Sequence, residues 1–114
     1  MALVVHEPLD EARWQHVLRP LRAVCLWLPE ANETVNFGHP WFRAGRRVFA
    51  IFEVHDGEAG ASFRAAPMEH EELLADPGIT PTPYMRHHGW LTLRLGEPVE
   101  WDRVEALLLD SYRL

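Results

Sequence analysis

The chain has 114 residues, 47% of them apolar and 25% charged, with a formal net charge of −6. That length and balance suit one globular domain with one core, and the acidic total counts against a nonspecific nucleic-acid binder, whose affinity comes mostly from neutralising phosphates. No apolar run approaches the roughly 20 residues that cross a bilayer. Met1–Glu7 has no basic n-region, and one cysteine, Cys25, cannot close an internal disulfide, so a reducing, cytoplasmic setting is expected.

Asp10 to Leu28 reads as a helix, because Trp14, Val17, Leu18, Leu21, Val24, Cys25 and Leu28 recur at spacings of three and four. Pro20 predicts a kink or a split into two short helices, and Pro29 ends the segment. Short strands follow at Thr34–Phe37 and Trp41–Arg43, with Gly38-His39-Pro40 between them. Ala44-Gly45-Arg46 then makes a tight turn into Arg47–His55, the longest strand. Asp56-Gly57 is a strong hairpin signal, and Ala59–Arg64 returns. Met68 to Asp76 reads as a helix with Pro67 in its first turn, stopped by Pro77-Gly78. Ile79 to Gly89 contains Pro81 and Pro83 and reads as an irregular loop. Trp90–Leu95 is the last strand, and Trp101–Tyr112 closes the chain as a helix. The expected fold class is α+β: a two-layer domain with an antiparallel sheet of about five strands, helices on one face, in the order α-β-β-β-β-α-β-α.

Strict alternation assigns the two sheet faces. Val35, Phe37, Val48, Ala50, Phe52, Val54, Ala61, Phe63, Leu91, Leu93 and Leu95 form an apolar set expected under the helices. The other face collects Arg47, Phe49, Ile51, Glu53, Ser62, Arg64, Trp90, Thr92 and Arg94. Arginine with bulky apolar groups describes a solvated face, whose arginine stems cover the apolar groups, a surface for phosphates, nucleic acid or an acidic protein, or a face buried in a dimer. Every non-histidine basic side chain is arginine. The absence of lysine removes P-loop, Schiff-base and lysine-base chemistry.

Motifs for catalysis or metal are missing. His87-His88 has no partner at metal-ligand spacing, Ser62 and Ser111 sit in no nucleophile elbow, and Cys25 falls on the apolar stripe of the first helix. Neither a catalytic residue, nor a metal site, nor a cofactor is assigned, and the chain is not expected to be an enzyme. Arg43, Arg46 and Arg47 bracket the Gly45 turn, a hairpin tip able to lie along a phosphate backbone.

Several stretches, in this order, resemble the MmcQ/YjbR family: Cys25-Leu26-Trp27-Leu28-Pro29-Glu30 with Glu33-Thr34, Phe37-Gly38-His39-Pro40, Phe42-Arg43-Ala44-Gly45, Val48-Phe49-Ala50, Pro83-Tyr84 with Gly89-Trp90, and Ser111-Tyr112-Arg113-Leu114. The resemblance runs from about residue 21 to 114, within a single domain of residues 1–114 whose first 20 residues form a helical extension. It implies a compact α+β fold similar to frataxin-like and secretion-chaperone-like folds. It also implies a double-wing DNA-binding arrangement, with Trp41–Phe49 as the first wing and Glu53–Arg64 as the second. The candidate nucleic-acid-binding residues are Arg43, Arg46, Arg47, Arg64, Arg86, His88, Trp90 and Arg94. The alternative reading is a protein-binding or chaperone-like module using an exposed Phe49, Ile51 and Trp90. A third is a small-anion binder near Arg86 and His88. Possible partners are thus DNA or another protein, with no membrane; the oligomeric state is left open.

Overall fold

The computed structural model describes residues 9–83, 85 and 88–114. Helix α1 (Glu11–Leu26) starts at Asp10, whose carboxylate accepts the Arg13 N–H at 3.3 Å, and it buries the stripe Val17, Leu18, Leu21 and Cys25. Pro20 is accommodated inside one continuous helix rather than splitting it. Strands β1 (Ala31–Asn36), β2 (His39–Ala44), β3 (Arg47–His55) and β4 (Glu58–Arg64) form an antiparallel meander. Its two-residue turns at Phe37-Gly38 and Asp56-Gly57 take positive φ at both positions, the twist that suits hairpin strands. A 3-10 turn (Pro67–Glu69) leads into the short α2 (His70–Leu74), then β5 (Ile79–Pro81), β6 (Trp90–Arg94) and α3 (Trp101–Arg113).

The sheet has six strands in the order β1-β2-β3-β4-β6-β5, one more than expected. The addition is β5, inside the segment read as loop: Ile79 pairs with Leu93, Thr80 with Thr92 and Pro81 with Leu91. Proline is tolerated there because β5 is an edge, where one side of the strand needs no donor.

The helices cover one face, with α1 beside β1 and α3 over β3 and β4. Phe42, Ala50, Phe52, Ala61, Phe63, Leu91 and Leu93 meet Leu18, Leu21, Val104 and Leu108 in the core. Alternation is broken at one place. Phe42 pairs with Ala50 while Arg43 pairs with Val48, so Phe49 is a β-bulge. One inserted residue exchanges the two faces for everything on its far side. The sequence assignment of Arg47, Val48 and Phe49 is therefore reversed. Phe49 is fully buried in the helix-side core and meets the Tyr112 ring edge-on at 5.4 Å, Val48 shares Arg43's face, and Arg47 reaches the Tyr112 carbonyl at the end of α3.

The bulge would strand polar backbone groups in the sheet, and α3 resolves that. Ser111 Oγ accepts the Arg64 N–H at 2.9 Å and donates to the Phe49 carbonyl at 2.7 Å. Tyr112 then donates its hydroxyl to the Pro29 carbonyl at 2.8 Å, fastening α3 to the turn after α1.

Candidate interaction surface

By register, the row Trp41–Ile51–Ser62–Thr92–Thr80 crosses the second face of the sheet. That face does not offer the apolar groups expected of it. Ile51 and Ser62 are fully buried and Trp90 is 5% exposed. A hydroxyl chain contributes to the closure: Thr82 Oγ1 lies 2.9 Å from Thr92 Oγ1, which lies 2.8 Å from Ser62 Oγ. The protein-binding surface expected from Phe49, Ile51 and Trp90 is absent, since all of them are interior. Trp90, as a candidate for stacking on bases, is buried for the same reason.

The arginines separate. Arg43 stacks over Trp41 at 5.6 Å, and its guanidinium donates to Thr34 Oγ1 at 3.1 Å, to the Arg46 carbonyl at 2.9 Å and to Asn36 Oδ1 at 3.5 Å. Its donors are thus spent on holding the hairpin tip in place. Arg47 turns to α3. Arg46, exposed at the tip, and Arg64, half-buried, make no side-chain hydrogen bond or ion pair among the described residues. Arg94 lies four residues along β6 from the Arg64–Trp90 pair, roughly 13 Å at ~3.3 Å per residue. There it joins a hollow of about 190 Å³ with Glu53, His55 and Glu58, and Glu58 sits 3.8 Å away. Arg86 lies outside the described residues, and His88 is exposed beyond the buried Trp90. The described candidate residues therefore do not form one positive patch: Arg43 and Arg46 hold one corner, and Arg94 sits among acids at the other end.

One hollow of about 480 Å³, between β4, α2 and α3, is lined by Arg64 and Arg103 as well as by Glu69, Glu72 and Asp110. No group of three or more metal-ligating side chains gathers among the described residues. Burial pushes the Cys25 thiol far up, and the Glu33 charge adds to this, so it stays protonated and is no nucleophile.

The open feature is β1. As the outer strand it exposes Val35 at 70%, with Phe37 at 67% in the adjoining turn and Trp27 at 87% just past α1. Its one ionisable side chain, Glu33, is gripped by Arg22 through two bonds of 2.9 Å. That pairing, with Glu11 also 2.7 Å from Arg22, raises the guanidinium's already high pKa further. The sequence reading placed Val35 and Phe37 beneath the helices; the structure leaves both exposed instead. The Phe37-Gly38 turn pairs β1 with β2, and it is the strand order that leaves the other side of β1 unpaired.

A family model described as YjbR matches residues 26–114. No curated protein matches the chain. Among solved structures, Deinococcus radiodurans protein DR2400, described as a DUF419 domain, superposes with a TM-score of 0.72 at 30% identity, over 83% of this chain and 75% of that one. The matched stretch begins near the end of α1 and takes in the whole sheet, the bulge and the Ser111-Tyr112 clasp, and on that match this chain belongs to the YjbR family.

Proposed function

We propose that the chain is a binding module, not a catalyst, and that it takes an extended polypeptide onto the free edge of β1. One observation carries this: the two edges of the sheet are built differently. The β5 edge is three residues long and ends in Pro81, which blunts strand addition. The β1 edge is six residues long, has no proline, keeps its one carboxylate neutralised, and adjoins exposed Val35, Phe37 and Trp27. Strand addition supplies affinity through main-chain bonds and specificity through alternate side chains. The reading places the module in the cytoplasm, consistent with its single, buried cysteine.

The test is a photo-crosslinking benzoylphenylalanine at Val35, irradiated in cells, with the same residue at Asp102 on α3 as control. A polypeptide adduct is expected at Val35 and none at Asp102. No adduct at Val35, or equal adducts at both positions, overturns the reading.

A second reading, contact with a DNA backbone by the double wing, is favoured by Arg46, a guanidinium without a partner at the tip of the first hairpin. With Arg46 and Arg64 as the free groups, binding to a short duplex would be weak, with a Kd of about 10⁻⁴–10⁻⁶ M, and each phosphate contact adds about 0.9 to the log–log salt slope. Fluorescence anisotropy at low salt checks it. Arg46→Ala should lower that slope by about one contact's worth. A duplex that stays free at high micromolar protein excludes this reading.

A further inference from the structure

Backbone alternation shows which groups β1 leaves unused. The Glu30 carbonyl accepts the Gly45 N–H at 3.1 Å, so it points towards β2. In an antiparallel pair the inward and outward residues alternate. Asn32, Thr34 and Asn36 therefore bond to β2, while Glu33 and Val35 turn their N–H and C=O outward. No hydrogen bond to those outward amides is made by any described residue.

We infer that the occupant of this edge is a second copy of the chain, paired β1 to β1 in antiparallel register. The inference rests on the protein-binding reading of β1 and names its partner. Two identical edges close into a dimer only about a two-fold axis. With the helices of both copies on one side of the joined sheet, that axis stands perpendicular to it, and only residues sharing a face can sit opposite each other. Outward groups must also meet outward groups. Few registers satisfy both conditions. Centring the axis on Glu33 sets the two carboxylates against each other. Centring it on Thr34 sets Thr34 against Thr34, Asn32 against Asn36, and Glu33 against Val35. This register uses all of β1. It covers the exposed Val35 side chain with the Arg22–Glu33 pair of the other copy, and it brings the Phe37 end of one strand alongside Ala31 of the other, where Trp27 is exposed. Amide meets amide and hydroxyl meets hydroxyl at the remaining positions.

Charge separates this occupant from a basic partner. Each copy carries −6, so bringing two together is opposed by long-range repulsion while the contact strand itself is neutral. Added salt should strengthen self-pairing, whereas it would weaken the docking of a basic segment.

Sedimentation velocity over a wide concentration range provides the test. The weight-average mass should climb from 13.2 kDa towards twice that value, and climb at lower protein concentration when salt is raised. Val35→Pro removes an outward N–H that β2 does not use, and should hold the mass at the monomer value with near-ultraviolet circular dichroism unchanged. Val35→Glu, which leaves the backbone donor in place, does the same by setting a carboxylate against Glu33 of the other copy and adding to the repulsion between two acidic chains. A wild-type chain that stays monomeric at all concentrations and salts overturns the inference, as does a dimer that forms equally in both variants. The Val35 photo-adduct separates the two proposals: an adduct of twice the chain mass supports self-pairing, an adduct of another mass from a monomeric protein overturns self-pairing alone, and no adduct overturns both.

Discussion

Ser111 carries one hydroxyl into the interior at 2% exposure, where it serves both a donor and an acceptor of the sheet. Ser111→Ala leaves the Arg64 N–H and the Phe49 carbonyl buried without partners. It should destabilise the fold by about 2–3 kcal/mol, read as a lower urea midpoint at unchanged slope. The serine was visible in the sequence as part of Ser111-Tyr112-Arg113-Leu114, but its role was not, because the groups it satisfies are set free by a bulge some sixty residues earlier. Cys25 is the opposite case. Its place on the stripe of α1 was enough to predict a buried, inert thiol, because helical periodicity alone decides which side faces the sheet.

At the scale of the element, the sequence showed most of what local rules determine. The Asp56-Gly57 turn, both long helices and the meander follow from spacing and turn chemistry. Two elements escaped. Strand β5 is short, carries Pro81, and exists because β6 offers it a partner, which no local pattern records. The bulge at Phe49 was hidden because Arg47 to His55 alternates well enough to pass for a regular strand. A strand-to-strand contact provides a further check. A Cβ at Gly60 would stand 2.8 Å from Thr92 Cγ2 and push the threonine out of its hydroxyl chain with Thr82 and Ser62. Gly60→Ala should cost about 1–2 kcal/mol in chemical denaturation, despite alanine's lower chain entropy in the unfolded state. Adding Thr92→Ser, which removes the methyl and keeps the hydroxyl, should recover most of the loss.

For the whole molecule, composition showed the sign of the charge but not its arrangement. Arg43, Arg46, Arg64 and Arg94 could be counted in the sequence, yet whether they converge depends on strand register and on which carboxylates arrive beside them. Register put Arg94 next to Glu58 and left Arg46 alone at a corner. One ion pair ties distant parts of the chain together. Asp76, in the turn before β5, accepts the Gly78 N–H at 2.7 Å and pairs with Arg103 on α3. The Gly78 bond first, and Arg103 second, hold its carboxyl below the ordinary 3.8. A depressed folded-state pKa contributes stability that is present above the unfolded value and is lost as pH falls through the folded one. Asp76→Asn should therefore lower the urea midpoint at neutral pH, and the gap between variant and parent should close as the solution is acidified below 3.8.

The extra residue at Phe49 has a mechanical side. Beyond it, the hairpin tip no longer answers only to its neighbours in the sheet. Arg47 grips the Tyr112 carbonyl, Ser111 holds the Phe49 carbonyl, and Tyr112 in turn holds Pro29. Tip, final helical turn and the α1–β1 joint are therefore joined by one chain of side-chain-to-backbone bonds. Displacing the Gly45 turn therefore loads the bonds to α3, and through Ser111 those to β4, as well as the sheet ladder itself.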